Sequence, residues 1–98
     1  MIEIVMVEFE VGLDTIAECV AALNELMDAV VAQQPKFHGA TIHVEESTGK
    51  VINIMKWDKA SDFVEFRDSN QDIIAPVLRK FGPKGRMLKI AVEIMAKH

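Results

Sequence analysis

The hydrophobic patterning predicts an α+β domain of split β-α-β-β-α-β layout built on an antiparallel sheet. Three observations predict it. An opening run, Ile2 to Val11, is apolar on both alternating faces; a long amphipathic stretch follows and stops at Pro35; and two further alternating runs flank Glu46-Ser47-Thr48-Gly49-Lys50.

In the first run Glu3, Val5, Val7, Phe9 and Val11 point one way, and Ile2, Ile4, Met6, Glu8 and Glu10 the other. Apolar residues on both faces of its first half predict a strand covered on both sides. Gly12-Leu13-Asp14 is the turn, and Thr15 with Glu18 forms a candidate capping box, Asp14 being the alternative N-cap. The helix then runs to about Gln33, with Ile16, Val20, Leu23, Met27, Val30 and Val31 on one stripe. Pro35 forbids its continuation.

His38–Glu46 and Lys50–Asp58 form a hairpin. A three-residue loop with Gly49 in the left-handed region pairs Glu46 with Lys50. That register sets His43 opposite Asn53 and Thr41 opposite Met55, with Trp57 further along the same face. Ile42, Val44, Ile52 and Ile54 then pack against helices. A slip of one residue would separate the two sets. Ala60–Asp68 is a short helix capped by Asp58 or Ser61, with Phe63, Val64 and Phe66 inward. A further helical piece, with Asn70 as its candidate cap, carries Ile73, Ile74, Val77 and Leu78, broken near Ala75 so that Pro76 restarts it. After the loop Gly82–Gly85, Arg86 to about Ala96 alternates as the last strand.

All 98 residues fit one domain, 1–98, with no linker, repeat or low-complexity tract. Half of them are apolar, at a mean hydropathy of +0.16. A chain this short buries only roughly 60–65% of its unfolded surface, so a second copy is expected to cover what its own core cannot. The net charge of −4 and the lack of a basic patch interleaved with aromatics argue against nucleic acid as a partner. No basic-then-apolar leader and no apolar run near ~18 residues is present, so no membrane partner and a cytoplasmic location are expected. The lone Cys19 has no internal disulfide partner and reads as a packed thiol. No His/Cys/carboxylate cluster has metal-ligand spacing, and there is no Gly-rich phosphate loop or nucleophile elbow.

Helices are expected to cover one sheet face; the other, carrying Thr41, His43, Asn53, Met55 and Trp57, is too apolar for water and too polar for a dry core. A ligand cavity has that composition. His43 is the candidate base, because imidazole titrates near neutral pH. Asn53 is the candidate donor to a carbonyl or oxyanion, and Trp57 the candidate stacking surface.

The corner Gln34-Pro35-Lys36-Phe37-His38-Gly39 resembles the "PGF-G" turn of antibiotic biosynthesis monooxygenase domains, with Lys36 in place of a Gly. The passage Ile54-Met55-Lys56-Trp57-Asp58-Lys59-Ala60-Ser61-Asp62-Phe63 resembles their "W-x-s-x-e-a-f" segment. With the opening strand and long helix, the resemblance covers nearly the whole chain. It implies a ferredoxin-like fold that pairs into a dimeric α/β barrel, with a cavity in each protomer. It also implies chemistry without flavin, haem or metal on quinol- or anthrone-type aromatics.

His43, Asn53 and Trp57 match the His, Asn and Trp of the quinone-forming members. Phe63 takes the place of their Tyr, a residue type this chain lacks, and Arg79 is the nearest candidate for their Arg. The residues of the haem-degrading branch have no counterpart: their places fall at or near Met6, Phe66 and Pro76. The expected function is therefore a cofactor-independent monooxygenase-like enzyme. His43 and Asn53 are its expected catalytic residues, and Trp57, Phe63, Arg79, Thr41 and Met55 bind the substrate. The missing Tyr keeps a non-catalytic ligand-binding dimer, or an isomerase or lyase, as alternatives.

Overall fold

The computed structural model describes all 98 residues. Its elements are β1 (Glu3–Glu10), α1 (Ile16–Ala29), β2 (Phe37–Glu45), β3 (Lys50–Trp57), α2 (Ala60–Ser69), α3 (Gln71–Leu78) and β4 (Pro83–Lys89). Short 3₁₀ turns precede and follow α1 and follow α3. The four strands form one antiparallel sheet in the order β2-β3-β1-β4, with the helices on one face. This is the predicted α+β, ferredoxin-like layout.

Alternation along the central strands decides which side chains meet the helices. Val5, Val7 and Phe9 of β1 lie opposite Met55, Asn53 and Val51 of β3, and all six are buried against α1, α2 and α3. Cys19, Leu23, Met27 and Val31 come down from the α1 side, and Phe66, Ile74 and Phe81 close the far end. Burying this cluster is the main driving force of the fold. The other sheet face is open. It carries Ile4, Met6, Ile52, Ile54 and Leu88, with Glu8 bridging Lys50 at 3.7 Å and Arg86 at 3.3 Å.

The hairpin register differs from expectation by one residue. Thr48 N–H donates to the Glu45 carbonyl at 3.3 Å, closing a turn over those four residues. Glu45 therefore pairs with Lys50, and the loop has four residues rather than three. Gly49 does adopt the left-handed region, at φ 68°. Its carbonyl accepts from both Val11 and Gly12 N–H at 3.0 Å, which fastens the turn to the end of β1. His43 consequently faces Ile52 across the ladder, Thr41 faces Ile54, and it is Ile42 that faces Asn53. The faces of β3 are also exchanged: Asn53, Met55 and Trp57, expected away from the helices, are buried against them, and Ile52 and Ile54, expected there, lie on the open face.

Other boundaries move too. Thr15 and Asp14 make no side-chain cap on α1. The N-terminus of α2 is held instead by Asp62, whose Oδ2 accepts from Lys59 N–H at 3.0 Å, and by Glu3, whose Oε1 accepts from Ala60 N–H at 2.7 Å. The boundary expected at Asn70 is present, although the Asn70 side chain makes no cap on α3, and the further break expected near Ala75 is absent. The Asn70 carbonyl accepts from Ile73 and Ile74 N–H at 3.0 and 2.9 Å, starting α3 afresh. Helix α3 runs through Pro76 and tightens to 3₁₀ at Arg79. The last strand begins at Pro83, opposite Phe9, and ends at Lys89, opposite Glu3. Beyond that point β1 has no residues left to pair with, so residues 90–96 of the expected strand lie outside the sheet.

Candidate active site

Asn53 is the one buried polar side chain in the core, 3% exposed. Its Nδ2 donates to Met27 Sδ at 3.5 Å, a weak acceptor, and its Oδ1 has no partner. A buried carbonyl oxygen left bare costs roughly 1–3 kcal/mol. Bare buried polar groups are uncommon in packed cores, so this one calls for an explanation.

One lies next to it. A cavity of about 250 Å³ opens between the sheet and the helices, with Asn53 in its wall. Val7, Phe9, Met55 and Met87 line it from the sheet, Leu23 and Met27 from α1, Phe63, Phe66 and Arg67 from α2, and Ile74 and Leu78 from α3. Twelve of the sixteen lining residues are hydrophobic, and Asn53 and Arg67 supply the only polar side chains. An apolar chamber with two polar groups matches the general build of a small-molecule site, though its volume is a little below the usual range.

Trp57 stands behind the aromatic wall and does not line the cavity. It is 1% exposed, with Phe37 edge-on at 5.4 Å, Phe63 at 5.9 Å and Phe66 at 5.8 Å between ring centroids. Its Nε1 is the second unpartnered buried polar atom of the chain. The indole positions the two phenylalanines that the cavity exposes.

The structure thus brings Asn53, Met55 and Phe63 together at one cavity, with Trp57 packed behind. It does not bring His43 or Thr41 there. Both lie on the open face of the sheet, exposed, with Thr41 Oγ1 and His43 Nε2 2.7 Å apart. The one-residue register shift is the reason. Arg79 is also elsewhere: it is exposed in the turn after α3, beside Gln71, Asp72 and Pro76.

The residue that sequence reasoning missed is Arg67. It sits one helical turn beyond Phe63, and that four-residue spacing, with Phe63 assigned inward, was the available signal. Its Nε donates to Asp68 Oδ1 at 3.2 Å, and its Cζ lies 5.8 Å from the Phe63 ring centroid. No group of three or more His, Cys, Asp or Glu stands where it could hold a metal ion.

Solved structures share this architecture over nearly the full chain. A monooxygenase from Streptomyces coelicolor, ActVA-Orf6 in complex with nanaomycin D, superposes at a TM-score of 0.76 and 20% identity, covering 97% of this chain and 92% of that one. SnoaB from Streptomyces nogalater, a cofactor-independent oxygenase, superposes at 0.74 and 19% identity, covering 95% of each chain. A structure described as antibiotic biosynthesis monooxygenase superposes at 0.72 and 12% identity, covering 94% of this chain and 100% of that one. The chain has the antibiotic biosynthesis monooxygenase fold. No family model matches the sequence, and no curated protein does.

Within the monooxygenase fold the cavity lies on the helical side of the sheet, so the open face is free of it. No helix is long and apolar enough to cross a membrane.

Proposed function

We propose that this protein is a cofactor-independent monooxygenase-like enzyme that oxidises a small quinol- or anthrone-type aromatic in the cavity between sheet and helices. The observation that carries the reading is Asn53: a buried amide with a bare carbonyl oxygen, set in the wall of an otherwise apolar chamber. Phe63, Phe66 and Met55 suit a flat ring. The resemblance of the fold to SnoaB and ActVA-Orf6 adds to this reading.

Asn53 serves both protonation states of such a substrate. A neutral hydroxyl donates to Oδ1, and once that oxygen ionises it accepts from the Nδ2 amide. The electron-rich anion then reduces O₂. For an anthrone, the CH₂ carbon becomes C=O, one oxygen atom of O₂ enters the product and the other leaves as water. The substrate supplies all the electrons. Excluding water from the chamber strengthens the amide's hold on the developing oxyanion.

Neither an acid nor an imidazole lines the cavity, so no side chain of the chamber takes the substrate's proton. The pH dependence of the rate is accordingly set by the substrate's own ionisation. The same observation favours a second reading, a ligand-binding dimer without chemistry. An isomerase or lyase is separated from the oxygenase by product mass, since isomerisation adds no oxygen.

The deciding experiment is O₂ uptake and product mass for purified protein with a panel of anthrones and quinols. The wild type is expected to consume O₂ and add oxygen to the product. Asn53→Leu is expected to lose about 100-fold or more of that rate while melting at the same temperature or higher, because it removes an unsatisfied polar group. Saturable binding without uptake would transfer the case to the second reading.

A homodimer belongs to the proposal, with the open sheet face of each copy covering the other. Ile4, Met6, Ile52, Ile54 and Leu88 on that face support it. The reading places the enzyme in the cytoplasm.

A further inference from the structure

We propose that Arg67 selects aromatic substrates that carry a carboxylate, holding that group at the cavity mouth while the reacting ring lies deeper, against Asn53. This rests on the cavity being the substrate site.

Arg67 is the only charged side chain lining the cavity. Its position is intermediate, with the side chain 41% exposed, whereas Asn53 is 3% exposed. The two polar groups therefore mark a wet end and a dry end of one chamber. Different chemistry suits each end. A group held at the wet end must remain ionised in contact with water, and at neutral pH a carboxylate does so while an ordinary phenol does not. The phenolic or carbonyl oxygen belongs to the dry end, where a neutral amide meets it.

The guanidinium is already oriented for this task. Asp68 occupies Nε, and Phe63 lies 5.8 Å from Cζ, so the side chain is held from two sides. Neither Nη nitrogen has a hydrogen-bond partner within the protein. Their N–H groups form the fork that a carboxylate accepts in bidentate fashion. An aromatic acid would thus lay its ring along the Phe63 side of the chamber and present its carboxylate to the Nη edge. Asp68 shares the guanidinium's charge on its Nε side, so recognition rests on the two free Nη N–H edges rather than on net charge.

The test compares two ligands of equal shape with the hydroxyl and the acid group at opposite ends, 6-hydroxy-2-naphthoate and 6-hydroxy-2-naphthamide, titrated calorimetrically at pH 7.5 into wild type, Arg67→Met, Arg67→Lys and Asn53→Leu. The wild type is expected to bind the naphthoate about tenfold tighter than the amide. Arg67→Met is expected to bind both alike, and Arg67→Lys to recover part of the preference. Asn53→Leu is expected to weaken both ligands by a similar factor. Equal affinities in the wild type, or a preference that survives in Arg67→Met, would overturn the role of Arg67 and leave the cavity reading standing. Binding of neither ligand would remove both.

Discussion

Asn53 gives its amide hydrogen to a thioether and leaves its carbonyl bare, and that pairing separates it from the other polar residues of the chain. Exposed groups here find partners readily. His38 and Lys36 both meet Asp58, the lysine at 3.9 Å, and together they pin the start of β2 to the end of β3. The hydrogen bond from His38 holds the Asp58 carboxyl below its ordinary range, helped by the charges of His38 and Lys36. A depressed carboxyl adds stability above its unfolded value, near pH ~4, and loses it as pH falls through the folded value. Asp58→Asn is therefore expected to lower the melting temperature slightly at pH 7 and to match wild type near pH 2. A gap that persisted in acid would show that the charge is not its source. Cys19 is displaced in the opposite sense: burial, with Glu18 assisting, raises its thiol and keeps it protonated and inert.

At the scale of elements, alternation and helical spacing made the order of strands and helices legible, and with it the inward side of Phe63 and Phe66. Alternation also put Asn53, Met55 and Trp57 on one face of β3, but it assigned that face away from the helices, and the structure turns it toward them. The register was not legible. A three-residue and a four-residue loop share the same residues; what chooses between them is whether Thr48 N–H reaches the Glu45 carbonyl and whether Gly49 docks on β1. That choice carries His43 and Thr41 to the opposite face. The far end of β4 was illegible for a related reason: Ile90, Val92 and Ile94 alternate like a strand, but β1 starts at Glu3 and offers no partner past Lys89. The docking at Gly49 is testable. A Cβ there would lie 2.7 Å from Gly12 Cα, on a backbone already at positive φ. Gly49→Ala is expected to cost about 2–3 kcal/mol in denaturant unfolding. A loss within about 0.5 kcal/mol, the range of an ordinary surface change, would mean that the turn is free to move.

For the molecule as a whole, the sheet is finished on one face only. The helical face holds the buried core; the open face keeps aliphatic side chains beside the Glu8 ion pairs, and the segment after Lys89 adds Val92, Ile94 and Met95 at 76%, 85% and 72% exposure. This is the apolar surface that the proposed second copy would cover. Light scattering at micromolar concentration is expected to give twice the chain mass of 11.0 kDa. Ile54→Glu is expected to shift it toward the monomer, because a charge placed on that face would have to be desolvated in the dimer. A wild-type monomer would leave the open face without its proposed cover.

Met27, Met55 and Met87 share the wall of a chamber proposed to handle dioxygen. Thioethers take up oxygen from stray peroxide and become polar sulfoxides. A soft wall would then harden from within, one oxidation event at a time. The event would matter most at Met27, whose sulfur receives the Asn53 amide hydrogen. A sulfoxide oxygen accepts far more strongly than sulfur and would hold the amide away from its substrate. Ageing of such a catalyst is counted in turnovers rather than hours, and a methionine sulfoxide reductase would be what resets the count.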